Sequence, residues 1–458
     1  MNRARSIRAL AALAVLGLAA AACGDDGGGS EATTTTAAAT SGATAASGAT
    51  TTTAVKDPLA ALGVDLKKDC PADYNPTQGV SAGEIVIGHS GPKTGPGASF
   101  SLLTKGMQAY FDYANAELNG VNGRKLKLVS LDDEYLPEKT VKNVTDLVSQ
   151  GVFVTSGILG TPNNLAVRDL LNDKCVPQLF PSTGAPDWGD VKDYPWTVSG
   201  AVVAYNTEAR IWAEHLKQKF PNGANVVALQ IANSFGEDYV TWLKKYLEGS
   251  SIKLTKIEKH DPTTVDVKNQ ITTLAATKAD VVIHMTTSTA CLQAMKEVGA
   301  SGWKPLQIVS GTCKTSLFFA GAGEGAKDAV IVAASKEITY PEFNSDQAIV
   351  AFRTNLAKYA QGDTGAISLV PTGWVFAEML RDTLVRAEKL TGGLTRPNVL
   401  LAARQTNFIS PYLYAPAKLD GTTDTIMGEV GRIEKWNGQA FEKVTELTSY
   451  EGQMKAKP

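Results

Sequence analysis

The chain has 458 residues, of which 43% are hydrophobic and 20% charged, and its formal net charge is −2. About 400 residues follow a low-complexity start, too many for one compact core and comfortable for two lobes. The near-neutral balance gives no basic face, which excludes nucleic acid as a partner, and no stretch beyond the N-terminal run reaches the ~18 apolar residues of a membrane-spanning helix.

At the N-terminus, Arg3, Arg5 and Arg8 precede an apolar run from Ala9 to Leu18 and the small residues Ala20, Ala21 and Ala22. That order predicts a secretory signal over 1–22. Cys23 follows directly. This resembles a bacterial lipobox, so Cys23 is the expected site of lipid attachment and the expected location is extracytoplasmic, at the cell membrane. Residues 24–56 are almost entirely Thr, Ala, Ser and Gly, with no bulky apolar residue before Val55. Such a segment cannot bury enough surface to repay its ordering entropy, so 23–56 is expected to be a lipid-anchored spacer. An N-terminal extension, 57–83, leads into the folded part.

From Glu84 short apolar runs alternate with helical periods. Strands are expected at 84–88, 125–131, 152–154 and 177–180, with helices at 100–118, 137–150 and 162–172 between them. The rhythm resumes after 199–205. Helices are expected at 207–220, 235–248, 265–276 and 289–298, and strands at 225–231, 252–257, 281–283, 306–309 and 330–332. Longer helical stretches follow at 343–359, 366–390 and 396–404, then a strand at 433–436. Strand–helix alternation of this kind predicts parallel sheets covered on both faces. The expected fold class is α/β, with two doubly wound parallel-sheet lobes joined by a multi-strand hinge. One lobe is expected to comprise 84–200 and 335–410, the other 201–334 and 411–458.

In an oxidising compartment the four remaining cysteines, Cys70, Cys175, Cys291 and Cys313, are expected to pair. Four cysteines allow three connectivities. Nearness in sequence favours Cys291 with Cys313, which leaves Cys70 with Cys175. The four histidines are scattered and Cys-x-x-Cys is absent, so neither a metal nor a cofactor is expected.

Ligands of open α/β sheets bind beyond the carboxyl ends of strands, at helix N-termini. Three loops of the first lobe fit that rule. They are Ser90 to Gly97, Gly157 to Pro162 with Leu159, Gly160 and Thr161, and Pro181 to Pro186 with Ser182, Thr183 and Gly184. Thr161 reads as an N-cap with Pro162 as the first helical residue. A hydroxyl beside unpaired backbone N–H groups suits a carboxylate or other anionic group. From the second lobe, Phe235 opens a helix after a strand, Tyr205 lies at the crossover, and Thr287 and Thr312 follow strands. Enzyme signals are missing: the Gly-x-Ser-x-Gly match at Gly79 to Gly83 precedes the first strand and is no strand-to-helix elbow, and there is no Walker loop. The acidic run Asp132, Asp133 and Glu134 reads as a solvated charge run at a helix start. Gly321 to Gly325 precedes a strand, the wrong order for a dinucleotide site, and reads as a turn.

Taken in order, Ser90-Gly91-Pro92, Asp132-Asp133, the 157–161 loop, 177–186 and Phe235-Gly236-Glu237 resemble the type I periplasmic binding proteins, in the branch of the leucine/isoleucine/valine-binding protein. The front piece Cys70-Pro71-Ala72-Asp73-Tyr74 resembles an extension of actinobacterial members. The resemblance implies a serine and a threonine of the first lobe holding a ligand carboxylate. The first falls on Thr161 and the second on Gly184, preceded by Ser182 and Thr183. It places an aromatic contact on Phe235. The family tyrosine falls near Pro96, and the glutamate that clasps an amino acid's ammonium falls near the uncharged Thr312. A carboxylate-bearing or neutral apolar solute is therefore expected rather than a branched-chain amino acid. By resemblance the protein is a monomeric, non-enzymatic binding lipoprotein whose partners are a small-molecule ligand and the permease and ATPase subunits of an ABC importer. The rivals are a sensor handing its closed state to a receptor and, further off, a cell-envelope enzyme.

Overall fold

The computed structural model describes residues 58–362 and 369–458. The expected signal, spacer and Cys23 lie outside the described residues. Two short helices, α1 (Pro58–Ala61) and α2 (Leu66–Asp69), open the described chain. They lead to Cys70, which is joined to Cys175 with a Cα–Cα distance of 5.6 Å.

The first lobe is built on β1 (Glu84–Gly91), β2 (Lys125–Asp132), β3 (Val154–Ser156), β4 (Gln178–Leu179) and β5 (Thr197–Val198). They form a parallel sheet in the order β2-β1-β3-β4-β5. Ile85 and Ile87 on β1 are fully buried, as expected of a strand covered on both faces. The covering helices are α3 (Ser101–Glu117), α4 (Pro137–Ser149) and α5 (Thr161–Asp173). Each of these three helices forms within two residues of its expected ends, the usual scatter of helix termini.

The second lobe runs α6 (Tyr205–Lys219), β6 (Ala224–Ile231), α7 (Ser234–Leu247), β7 (Ile252–His260), α8 (Lys268–Ala275), β8 (Val281–Met285), α9 (Thr289–Ala300), β9 (Leu306–Val309), α10 (Ser316–Ala322) and β10 (Val330–Ala333). The continuous apolar run Val226 to Leu229 lies on β6, between β8 and β7, every side chain buried. Asn233 caps α7, its side chain accepting from the N–H of Gly236. Of Gly321 to Gly325, expected as a turn, Gly321 and Ala322 end α10, and Gly323 to Gly325 belong to a 3-10 turn, Gly323–Ala326, that precedes β10.

The chain then returns. Helices α11 (Gln347–Tyr359), α12 (Leu369–Glu388) and α13 (Arg396–Arg404) join the first lobe's core, α12 lying along α3. The approach is close because glycines face backbone at the crossing. A Cβ on Gly106 would sit 2.0 Å from the carbonyl oxygen of Val370, and one on Gly373 would sit 1.9 Å from that of Leu103. A small antiparallel pair, β11 (Asn407–Phe408) with β12 (Ala417–Lys418), follows. The chain ends in the second sheet: β13 (Val430–Trp436) runs antiparallel to β10 and pairs with β14 (Phe441–Lys443) and β15 (Thr448–Ser449).

Three segments therefore join the lobes, and they are bonded to one another. Tyr414 N–H donates to the Ala334 carbonyl at 3.0 Å, Lys336 N–H to that of Tyr412 at 2.8 Å, and Ala204 N–H to that of Gly428 at 2.9 Å. The fold is α/β, two lobes on a multi-strand hinge.

Candidate ligand-binding cleft

A cavity lies between the lobes at the hinge, with about 150 Å³ open to the centre of a water-sized sphere. At ~10–15 Å³ per such sphere, that is room for a solute on the order of ten non-hydrogen atoms. Its wall is mainly apolar: Phe100, Leu103 and Leu159 from the first lobe, Val203 from the hinge, Phe235 and Val332 from the second lobe, and Leu369, Val375 and Phe376 from α12.

The polar groups converge from three sides. The first lobe offers Tyr135, Gly160 and Ser182; the second offers Tyr205, Glu208, Thr287, Gly311, Thr312 and Lys314. Ser335, Thr372 and Tyr412 complete the wall. Loops 157–161 and 181–184 are tied together by a Leu159–Ser182 bridge, with the Ser182 N–H donating to the Ile158 carbonyl at 2.8 Å. Asn164 locks the first of these loops by donating to the carbonyls of Ile158 and Gly160.

The start of α5 differs from the sequence expectation. Gly160, not Thr161, is the N-cap, with φ 97°, a backbone conformation that favours glycine. Thr161 is the first helical residue, and its hydroxyl is freed from capping. It does not line the cavity. It lies 2.6 Å from the Thr183 hydroxyl, which in turn lies 3.2 Å from the Tyr205 hydroxyl. Thr161 and Thr183 thus form a buried row behind Tyr205 and fix its phenol. Burial pushes the Tyr205 hydroxyl well above its ordinary pKa, so it stays a neutral donor and acceptor. Gly184 is also behind the wall, its Cα face pressed against the Val203 carbonyl and the Tyr205 ring.

Ser90 is further back still. Its hydroxyl donates to Asp133 Oδ2 at 2.8 Å and accepts from Asn143. Asp133 itself is fully buried, which corrects the reading of 132–134 as a solvated run. It accepts from Ser90, Thr140 and the N–H of Tyr135. Burial pushes its carboxyl upward and those hydrogen bonds oppose the shift. Asp133 thereby shapes the turn, with Tyr135 at φ 65°, that delivers the Tyr135 ring to the cavity. The tyrosine expected to be lost at Pro96 is replaced from this neighbouring loop.

On the second lobe, Phe235 and Tyr205 meet edge to face at 5.0 Å, and both pack on Tyr239. Glu208 is the residue the sequence did not reveal. It sits in the first turn of α6, 1% exposed, and an acidic residue there reads simply as a partner for the helix dipole. Its Oε1 accepts from the Gly311 N–H and its Oε2 from the Tyr239 hydroxyl, both at 2.6 Å. Burial pushes its carboxyl up to about 8, with those two hydrogen bonds opposing. Lys314 was also missed. Its ammonium pairs with Glu337 at 2.6 Å and Glu434 at 3.6 Å. Burial alone would lower its pKa, but the two carboxylates hold it well above the ordinary value.

The lobes also touch at the cleft mouth. The Ser288 hydroxyl donates to the Pro96 carbonyl at 2.7 Å and lies 3.3 Å from that of Ser99. Thr289 reaches the same carbonyl at 3.4 Å.

A two-lobed α/β fold with a mostly apolar cavity across its hinge defines a flytrap-type binding protein. The profile of the family described as periplasmic binding protein matches residues 84–441, and the chain belongs to that family, in its type I form. Among curated relatives, the leucine-, isoleucine-, valine-, threonine- and alanine-binding protein of Pseudomonas aeruginosa is 24% identical over 180 residues, 39% of this chain and 47% of the relative. Leu/Ile/Val-binding protein homolog 3 of Brucella melitensis is 23% identical over 206 residues, 43% of this chain and 53% of the relative. The chain thus spans about half the length of the curated relatives it matches. Among solved structures, a branched-chain amino acid ABC transporter protein of Thermus thermophilus with bound valine superposes with TM-score 0.72 at 17% identity, over 81% of this chain and 97% of the other. A solute-binding protein of R. palustris in complex with benzoate gives 0.68 at 18% identity, over 81% and 99%. A fatty acid ABC transporter substrate-binding protein of Thermomonospora curvata gives 0.69 at 20%, over 83% and 96%. At these identities the likeness shows the fold.

Proposed function

We propose that the protein is the extracytoplasmic substrate-binding component of an ABC importer, tethered to the cell membrane through a lipid on Cys23. It captures a small carboxylate-bearing or apolar, amino-acid-like solute by closing its lobes. Residues 84–200 and 335–410 form one jaw, and 201–334 with 411–458 the other. The observation that carries this reading is the cavity: apolar walls, hydroxyls and one helix start converge on a space of small-solute size, with contributions from both lobes. Thr161, Ser182, Thr183 and Gly184 serve the site together. Ser182 and Gly160 face the ligand, while the threonine row and the glycine position Tyr205. Phe235, Tyr205, Thr287 and Thr312 close from the other side. Closure is what a permease would recognise.

The test is a thermal-shift screen with calorimetric follow-up. The panel comprises valine, benzoate, 4-hydroxybenzoate, short and long fatty acids and 2-oxo acids. A true ligand at about 100 times its Kd stabilises the protein by about 2.7 kcal/mol. Native mass spectrometry of protein purified from its own host adds an unbiased search. Failure of the whole panel, together with no carried-over small molecule, would refute the reading.

A further inference from the structure

Glu208 is a buried carboxyl in the wall of a largely apolar cavity, and the one cation that shares this wall among the described residues, Lys314, is paired elsewhere. On its own helix, Arg210 pairs with Glu214 on the outer, partly exposed face. From α7 it meets the Tyr239 hydroxyl. From the loop after β9 it meets the Gly311 N–H, and the Ser310 and Thr312 hydroxyls lie next in line. Lys314 of that loop is committed to Glu337, Glu434 and the Ser335 carbonyl. From β13, Arg432 is committed to Glu434. Among the described residues no Lys, Arg or His pairs with Glu208.

The two donors are divided, one to each carboxyl oxygen. An ionised carboxylate has about four acceptor sites. Here two would stay unfilled in a cavity also lined by Phe235, Val332 and Tyr205, an expensive burial of charge. A neutral acid fits better. Its oxygens keep the two donors already present, and its own proton has the cavity to point into. We infer that Glu208 acts as a neutral carboxylic acid donating a hydrogen bond into the cavity. The site then selects solutes that turn an oxygen acceptor, such as a carbonyl or carboxylate, toward the second lobe, over those that turn an ammonium there. The inference rests on the reading of this cavity as the ligand site. It assigns Glu208 a role opposite in sign to a counter-ion: the acid beside Gly311 rejects the ammonium that the uncharged Thr312 cannot neutralise.

Two measurements test it on the full chain. The first needs no ligand. A carboxyl that is neutral when folded and ionised when unfolded makes the folding constant fall with pH by up to tenfold per unit, above the ordinary glutamate value and until the folded group itself ionises. Glu208→Gln keeps the shape and a donor but cannot titrate. Urea unfolding from pH 5.5 to 7.5 should therefore show wild type losing up to tenfold more per pH unit than Glu208→Gln. Other raised carboxyls are common to both proteins and cancel. Equal pH slopes would overturn the inference. The second measurement compares matched probes that differ only at the α-carbon: valine with 3-methyl-2-oxobutanoate, and phenylalanine with phenylpyruvate. The oxo acid should bind at least tenfold more tightly at pH 7, with affinity falling as pH rises above about 8. Tighter binding of the amino acid would overturn the inference while upholding the cleft. If the slopes differ but no member of the wider panel binds, the neutral acid stands and the selectivity falls together with the function it rests on.

Discussion

The two disulfides close loops of very different length, and that difference gives a prediction that needs no ligand. Cys70–Cys175 spans 105 residues and Cys291–Cys313 spans 22. If a cross-link acts chiefly by removing freedom from the unfolded chain, the longer loop is worth about 4.7 kcal/mol and the shorter about 3.4 kcal/mol. The difference, about 1.3 kcal/mol, is roughly tenfold in the folding equilibrium constant. Paired alanine substitutions are the right perturbation, because Cys175, Cys291 and Cys313 are fully buried and a serine hydroxyl would add its own penalty. Equilibrium urea unfolding of Cys70→Ala/Cys175→Ala and of Cys291→Ala/Cys313→Ala should rank the long-loop variant as the less stable. The short bridge has a second effect. Cys313 sits between Thr312 and Lys314, both in the cavity wall, so its loss should weaken ligand binding more than loss of the long bridge does. A short-loop variant less stable than the long-loop variant would refute the loop-entropy argument.

Gly184→Ala should destabilise the protein by about 3 kcal/mol. The new Cβ would lie 2.2 Å from the Val203 carbonyl oxygen and 2.8 Å from the Tyr205 ring. An unchanged melting temperature would show that the hinge gives way without strain. Ser288→Ala removes the 2.7 Å bond to the Pro96 carbonyl, which joins the lobes across the cleft mouth. A neutral hydrogen bond is worth about 1 kcal/mol net, so ligand release should quicken about fivefold while capture keeps its rate. Stopped-flow fluorescence with any ligand from the screen reads both rates, and equal release from the two proteins would deny Ser288 a part in holding the lobes shut.

The scaffold was legible because its signals are local. Val226 to Leu229 is a buried run whatever surrounds it, and the helix over 101–117 shows its apolar face in its own spacing. The site was legible only where it follows a strand end: Leu159, Gly160, Ser182, Phe235, Thr287 and Thr312 all line the cavity. Tyr205 was found from its place at the crossover. What sequence could not separate is a side chain facing the cavity from one facing its neighbour. Thr161 and Thr183 are equally buried hydroxyls in the right loops, yet each is satisfied by the other. Asp133 looks like its exposed neighbours in a charge run, and only the partners Ser90, on β1, and Thr140, on the following helix, explain its burial. Glu208 and the α12 residues were hidden for the converse reason. Helical periodicity marks them as buried or as dipole partners, and it cannot say that what they border is empty space.

The loop after β9 links that space to the hinge. In four consecutive residues, the Gly311 N–H holds Glu208, Thr312 faces the cavity, Cys313 is bridged to α9, and the Lys314 ammonium binds Ser335 and Glu337 on a connecting segment. Lys314 also pairs with Glu434 on β13, so one buried cation joins the second lobe's sheet to the chain that leaves it. With burial opposed by two carboxylates, Lys314 stays charged throughout the physiological range. Loss of one partner from such a buried pair costs about 3–5 kcal/mol. A ligand can shift the opening equilibrium only by contacts that differ between the open and closed states. The 311–314 loop lines the cavity and holds the connecting segment from the same cross-linked turn. The cavity wall and the hinge anchor are thus adjacent peptide units, joined to the connecting segment through the Lys314 side chain.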